Sequence, residues 1–250
     1  MNIIVHPDVK ELKDKLSELI YEYDNLINHK GPFLEHLYVS IFGFDEYMMY
    51  KLELKIKLLK RKIQLIRIQV NHEKNIDMDE INSTLKKEFD DYEKQIDAQL
   101  NELNYIMDQK FVKLSEDEVI EIKKIYRELV KKLHPDLNPN QTIYEKNLFH
   151  QATNAFHNND LNKLKSLYYL CEEESDSNQI EDLNLLIEDF ENKIMNLENE
   201  YPFNKEKLLS DEKCKLEYKQ MLSSLIEDRK LTIEKLNNVI EEYNVKYSEG

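Results

Sequence analysis

The sequence predicts an all-α protein. Three glycines and five prolines in 250 residues leave few turns, charged residues reach 34%, and apolar residues recur at spacings of three and four over most of the length. There is no tryptophan, and no Asn-Gly or Asp-Gly pair sits between alternating apolar runs, so nothing points to a sheet. An apolar content of 41% suits buried seams and small bundles better than one large continuous core.

The first helix is expected from about Pro7 to His29. Leu12, Leu16, Leu19, Tyr23, Leu26 and Ile27 form its stripe, and Gly31-Pro32 reads as its stop. The triplet His6-Pro7-Asp8 reads as the helix start, with Pro7 in the first turn. Phe33, Leu34, Leu37, Tyr38, Ile41 and Phe42 follow as a short helical corner broken near Gly43. From Phe44 to Val70, Leu52, Leu54, Ile56 and Leu58 alternate with charged residues as a strand would. The Lys, Leu and Glu content and the stripe Met48, Leu52, Leu59, Ile63, Ile66, Val70 favour a helix. Another helix begins at a cap formed by Asp77 with Glu80 and runs to about Lys110. Ile81, Leu85, Phe89, Tyr92, Ile96, Leu100, Leu103 and Met107 are spaced in it like the seam of a coiled coil.

Charge divides unevenly. The net charge is −15, which argues against a general nucleic-acid binder. Between Lys51 and Arg67 seven basic residues face only Glu53, while the following helix carries Asp77, Asp79, Glu80, Glu88, Asp90, Asp91, Glu93 and Asp97. Folding that helix back on the basic one satisfies both runs within the chain, a simpler arrangement than an external polyanion. Between Cys171 and Glu200 eleven acidic residues stand against Lys193 alone.

The centre of the chain has its own punctuation. Ser115 and Glu118 spell a capping box, and Val119, Ile122, Ile125, Tyr126, Leu129, Val130 and Leu133 form the apolar face of the helix it opens. The other face is basic, with Lys123, Lys124, Arg127, Lys131 and Lys132. Pro135 ends the helix near Leu133 and should hold His134 extended, and Pro139 keeps the linker from resuming it. Thr142 with Glu145 is a further capping box, followed by Tyr144, Leu148, Phe149, Ala152, Ala155 and Phe156. A helical hairpin results, displaying an imidazole and a carboxylate at its tip. Beyond a turn at Asn158-Asn159-Asp160, Leu161, Leu164, Leu167 and Tyr168 form a short helix. The remainder reads as two long helices broken at Pro202, a hairpin or an oligomerising coiled coil within or between chains.

Taken together, Ile122-Lys123-Lys124-Ile125-Tyr126-Arg127-Glu128-Leu129 and Lys131-Lys132-Leu133-His134-Pro135-Asp136-Leu137-Asn138-Pro139 resemble the second helix and signature loop of the J-domain co-chaperones. Phe149, Ala152, Ala155 and Phe156 are similar to that family's third helix. The resemblance spans roughly residues 113 to 170, whereas His6-Pro7-Asp8 has no basic helix before it. Three neighbours differ from the family pattern: Ile125 replaces a small alanine, Leu133 an aromatic residue and Leu137 a lysine. The first-helix signature is absent before Ser115, and the end of the long helix at Leu103 to Phe111 is the expected stand-in.

What the resemblance implies is docking on a DnaK-type heat-shock seventy chaperone. His134, Pro135 and Asp136 would couple the contact to ATP hydrolysis, and Lys123, Lys124, Arg127, Lys131 and Lys132 would meet an acidic surface. Tyr126, Leu129, Phe149 and Ala152 would be core. The expected organisation is therefore an N-terminal helical and coiled-coil region (1–112), a J-like domain (113–170) and acidic coiled-coil helices (171–250). Coiled-coil arms would recruit an unknown client. The rival reading is a non-catalytic adaptor or scaffold in which the hairpin is only a structural module.

Other chemistries find little support. His150 and His157 lie two turns apart, no carboxylate cluster joins His134 at ligand spacing, and no glycine-rich phosphate loop occurs. The expectation is no enzyme activity, no metal and no cofactor. Cys171 and Cys214 are too few for a disulfide framework. The chain start lacks a basic region followed by an apolar run, and nowhere do eighteen apolar residues follow one another, so a soluble cytoplasmic protein without membrane contact is expected.

Overall fold

Helix α1 (Pro7–Asn25) opens the computed structural model, which describes residues 7–73, 75–111, 114–171 and 180–247. It begins at Pro7, as the sequence suggests; His6 of the first His-Pro-Asp triplet, and Glu172, Glu173, Glu174 and Asp176 of the acidic run, lie outside the described residues. Among the described residues the fold is all-α, with no strand.

Gly31-Pro32 does not stop the helical backbone. A π turn over Leu26–Lys30 leads into α2 (Gly31–Tyr38), with the Gly31 N–H donating to the Leu26 carbonyl five residues back. Pro32 is thus the second residue of α2 and follows directly on the π turn, where the backbone hydrogen-bond register has already shifted. Gly31 has ordinary helical angles, φ −59 and ψ −58. Its value is its size, since a Cβ there would come within 3.1 Å of the Phe203 ring and 2.9 Å of the Leu26 carbonyl oxygen. Gly43 likewise ends a π turn (Val39–Gly43) and leads into α3 (Phe44–Asn71), which settles the strand-like alternation there in favour of a helix.

Then follow α4 (Met78–Met107), α5 (Glu116–Leu133), α6 (Ile143–His157), α7 (Leu161–Leu170) and α8 (Ile180–Asn199). A 3₁₀ turn (Phe203–Lys205), α9 (Glu206–Ser210) and α10 (Glu212–Tyr247) complete the chain. The expected caps are in place. Asp77 accepts from the Asp79 and Glu80 N–H groups, and the Ser115/Glu118 and Thr142/Glu145 boxes are both reciprocal. Asn159 takes φ 55 in the turn before α7, a conformation asparagine tolerates better than most residues.

The regions read from the sequence follow chain order, but contacts group the helices into two units that each draw on separated stretches. One comprises Met1–Glu35 and Lys110–Glu206, the other His36–Gln109 and Lys207–Gly250. In the first unit α1 packs on α5 and α8, and α5, α6 and α7 pack on one another. Val9, Leu16 and Ile20 of α1 share a core with Ile122, Tyr126, Leu129, Val130 and Leu133 of α5, Leu148, Ala152 and Phe156 of α6, Leu164 and Leu167 of α7, and Leu183, Ile187 and Phe190 of α8. The role expected of Leu103 to Phe111 therefore falls to α1, whose leucine stripe supplies a longer apolar face. Within this unit α8 lies on α1.

In the second unit α3 is central, with α4 and α10 packed on it. Leu59, Ile63 and Ile66 meet Ile81 and Leu85 of α4 and Ile233 and Ile240 of α10. Of the unlike charges on α3 and α4, Arg61 and Glu88 pair across the two helices, while Asp90 and Asp91 pair with Lys94 of their own helix. Arg61 donates to both carboxylate oxygens of Glu88 at 2.8 Å, and Lys62 reaches Asn82 at 3.2 Å. The α4 seam, however, is fully buried only at Ile81 and Leu85; Tyr92 and Met107 are about half exposed. Helix α10 adds the Arg229–Glu53 pair at 2.8 Å and the Tyr218 hydroxyl, which shares the Glu46 carboxylate with Tyr38. No helix among the described residues is long and apolar enough to cross a membrane.

Candidate partner-docking site at the α5–α6 corner

The corner is built by termination chemistry. Helix α5 stops at Leu133, and His134 takes φ −69 and ψ 133, the extended state that a following proline favours. The last carbonyls of α5 are then met one by one: His134 N–H donates to Val130 at 2.8 Å, Asn138 Nδ2 to Lys131 at 2.9 Å, and Gln141 Nε2 to Leu133. The His134 carbonyl accepts from the Leu137 and Asn138 N–H groups at 3.1 and 2.9 Å, closing the turn. Leu137 points into the core. Asn138 and Gln141 were not singled out in the sequence, where polar residues after a proline look like ordinary linker.

Only part of the triplet is displayed. Pro135 and Asp136 are exposed, but the His134 side chain is just 15% exposed, lying edge-on to Phe149 at 5.1 Å and to Phe190 of α8 at 6.3 Å. Its Nδ1 accepts from the Asp136 N–H at 3.1 Å, and the Asp136 carboxylate stands 3.8 Å away. The tip therefore presents a proline and a carboxylate, with the imidazole turned inward because two aromatic rings offer it apolar cover. Burial holds the His134 imidazole below its ordinary value near 6.5; Asp136 opposes this and Lys193 reinforces it.

His29 in the same unit is lowered for the same first reason, burial, with His157 adding to it. An unfolded imidazole takes its proton near 6.5, while these folded ones take it only at lower pH. Between those values the unfolded chain binds more protons, so stability falls as pH falls below about 6.5 and is flat in this respect above it. Thermal melts across pH 7.5 to 5.5 are expected to show a falling midpoint in the acid part of the range. The fall is expected to be shallower in His134→Gln, and an equal fall would remove His134 as a source.

The basic face of α5 is occupied from within. Lys123 and Arg127 both reach Glu18 of α1 at 2.6 Å, and Lys131 reaches Asp14 at 2.5 Å as well as its own helix neighbour Glu128 at 2.8 Å. Lys123 also stands 5.0 Å from the centre of the Tyr21 ring. Lys132 turns the other way, donating to the Cys171 carbonyl at 2.9 Å and lying over Tyr168. Lys124 remains exposed. Below the charges, the Tyr126 hydroxyl donates to the Asp24 carboxylate at 2.6 Å. Burial pushes the Asp24 carboxyl up despite that hydrogen bond, and burial beside Asp24 pushes the Tyr126 phenol far above its ordinary range.

Tyr126, Leu129 and Ala152 are fully buried, and Phe149 is partly so. Asp14, Glu18 and Asp24 complete the surroundings that the sequence did not single out. The spacing held a signal: Asp14 and Glu18 stand four apart on the rim of the α1 stripe, as Lys123, Arg127 and Lys131 do on α5. Among the described residues no group of three or more His, Cys, Asp or Glu could hold a metal ion. Comparison with family models, with curated proteins and with solved structures finds no match.

Proposed function

We propose that this chain is a specialised J-type co-chaperone. It docks on a DnaK-type chaperone through the His134-Pro135-Asp136 corner and the cationic rim of α5, and carries a client through its other helices. The observation that carries the reading is the corner: an extended His-Pro-Asp turn between two capped, mutually packed helices, with Pro135 and Asp136 open to a partner and basic residues leading up to it. Local hydrogen bonds hold the turn, so a partner would meet a preformed shape.

The test is the ATPase rate of the cognate DnaK-type chaperone with added purified chain. Wild type is expected to raise it, and His134→Gln to abolish the increase with helicity unchanged by circular dichroism. Failure of wild type to stimulate would sink the reading.

The inward-turned imidazole and the internally paired cations favour a second reading, an adaptor that keeps the hairpin as a structural module. Affinity capture separates the two. Recovery of a stoichiometric partner indifferent to His134→Gln supports the adaptor, and recovery of the chaperone only with His134 intact supports the co-chaperone.

A further inference from the structure

The cations that would greet an acidic partner already have one. Three ion pairs join α1 to α5, and their order, Glu18 with Lys123 and Arg127, then Asp14 with Lys131, shows that the two helices run in opposite directions along this face. The Tyr126–Asp24 hydrogen bond, beneath the charged rim, pins the register of α1, so the two carboxylates cannot slide off their cations. Exposures of 24% to 43% across these five side chains leave each pair open to solvent.

We propose that α1 is a built-in occupant of the cationic face of α5. Asp14 and Glu18, with Glu128 of α5 itself, hold Lys123, Arg127 and Lys131 neutralised, and an acidic protein surface docks there by exchanging its own carboxylates for the two of α1 while the apolar stripe of α1 stays in place. Exchange of solvent-open ion pairs is cheap, because such pairs contribute little net stability. Release of the whole helix is not: it would uncover Val9, Leu16 and Ile20, each 2% exposed or less. The device therefore tunes how strongly the face attracts a partner without dismantling the unit, and the exposed Lys124 stays outside it. The identity of the partner rests on the co-chaperone reading; the masking itself does not.

The experiment uses the full chain carrying Asp14→Asn with Glu18→Gln, with Glu18→Gln alone as a milder second variant and circular dichroism to confirm the fold. A labelled oligoglutamate peptide serves as the acidic probe, followed by fluorescence anisotropy at low and physiological salt. The double variant is expected to bind roughly three- to thirtyfold more tightly than wild type, with a steeper salt dependence. A charge-matched control, Glu234→Gln with Glu241→Gln on exposed sites of α10, is expected to gain far less. Equal gains in variant and control would overturn the masking.

The same variants added to the chaperone ATPase assay separate the two proposals. Stimulation reaching half its maximum at lower concentration of the Asp14/Glu18 variant supports both. Tighter oligoglutamate binding with no stimulation by any form keeps the masking and removes the co-chaperone reading. Stimulation at the same half-maximal concentration by wild type and variant keeps that reading and overturns the masking.

Discussion

Phe156→Ala is expected to destabilise the first unit by about 3–5 kcal/mol, the upper range for deleting a buried aromatic side chain. Phe156 is 1% exposed and joins three elements. Its ring stacks on Tyr126 with centroids 4.1 Å apart and planes 10° from parallel, and it makes T-shaped contacts with His29 at 4.7 Å and Tyr21 at 5.7 Å. Truncation would leave a cavity between α5, α6 and the start of the chain, lined by rings that cannot collapse without losing their own contacts. Chemical denaturation monitored by circular dichroism is the measurement. A loss below about 1 kcal/mol would show that the ring cluster can repack, against the usual behaviour of dense cores.

The second large effect concerns what the hairpin needs. Expressed alone, residues 114–171 are expected to lose cooperative unfolding, although both capping boxes and the His134-Pro135-Asp136 turn lie inside that segment. The stripe Ile122, Tyr126, Leu129, Val130 and Leu133 shares its core with Val9, Leu16 and Ile20 of α1 and with Leu183, Ile187 and Phe190 of α8. Cutting these away returns the part of that stripe facing α1 and α8 to water and leaves the Tyr126 hydroxyl without Asp24. At about 1.5–3 kcal/mol for each fully buried aliphatic side chain, loss of the α1 contribution alone matches the whole stability of a small domain. The fragment is expected to be weakly helical with a broad melt. A sharp two-state transition at the full-chain midpoint would overturn this.

The local grammar of the chain was readable in advance. Ser115/Glu118 and Thr142/Glu145 cap as written, Pro135 ends α5 where proline chemistry requires, and Tyr126, Leu129 and Ala152 are buried. These depend on residues three or four apart, or on a ring that removes a donor. Partner choice was not readable. A leucine stripe says that a face must be covered but not by what, and Leu12, Leu16 and Leu19 suit α5 and α8 as well as many other surfaces. Nearness in sequence favours the end of α4 as the hairpin's neighbour, but α1, more than a hundred residues away, shares its core with α5 and sets its flanking carboxylates on the α5 cations. The Gly31-Pro32 stop failed for another reason. A π turn shifts the hydrogen-bond register ahead of the proline, and the glycine serves Phe203 and not a left-handed cap. The inward turn of His134 also depended on a distant residue, Phe190 of α8.

The assignment of α1 and α8 to one core has a consequence for birth on the ribosome. Leu129 and Val130 follow Leu16 and Ile20 out of the exit tunnel only after roughly a hundred further residues, and Ile187 later still. At ordinary elongation rates that is on the order of 5–20 s or more in which the α1 stripe has no native cover. Through that interval the α1 stripe is an exposed apolar helix face with no partner in its own chain.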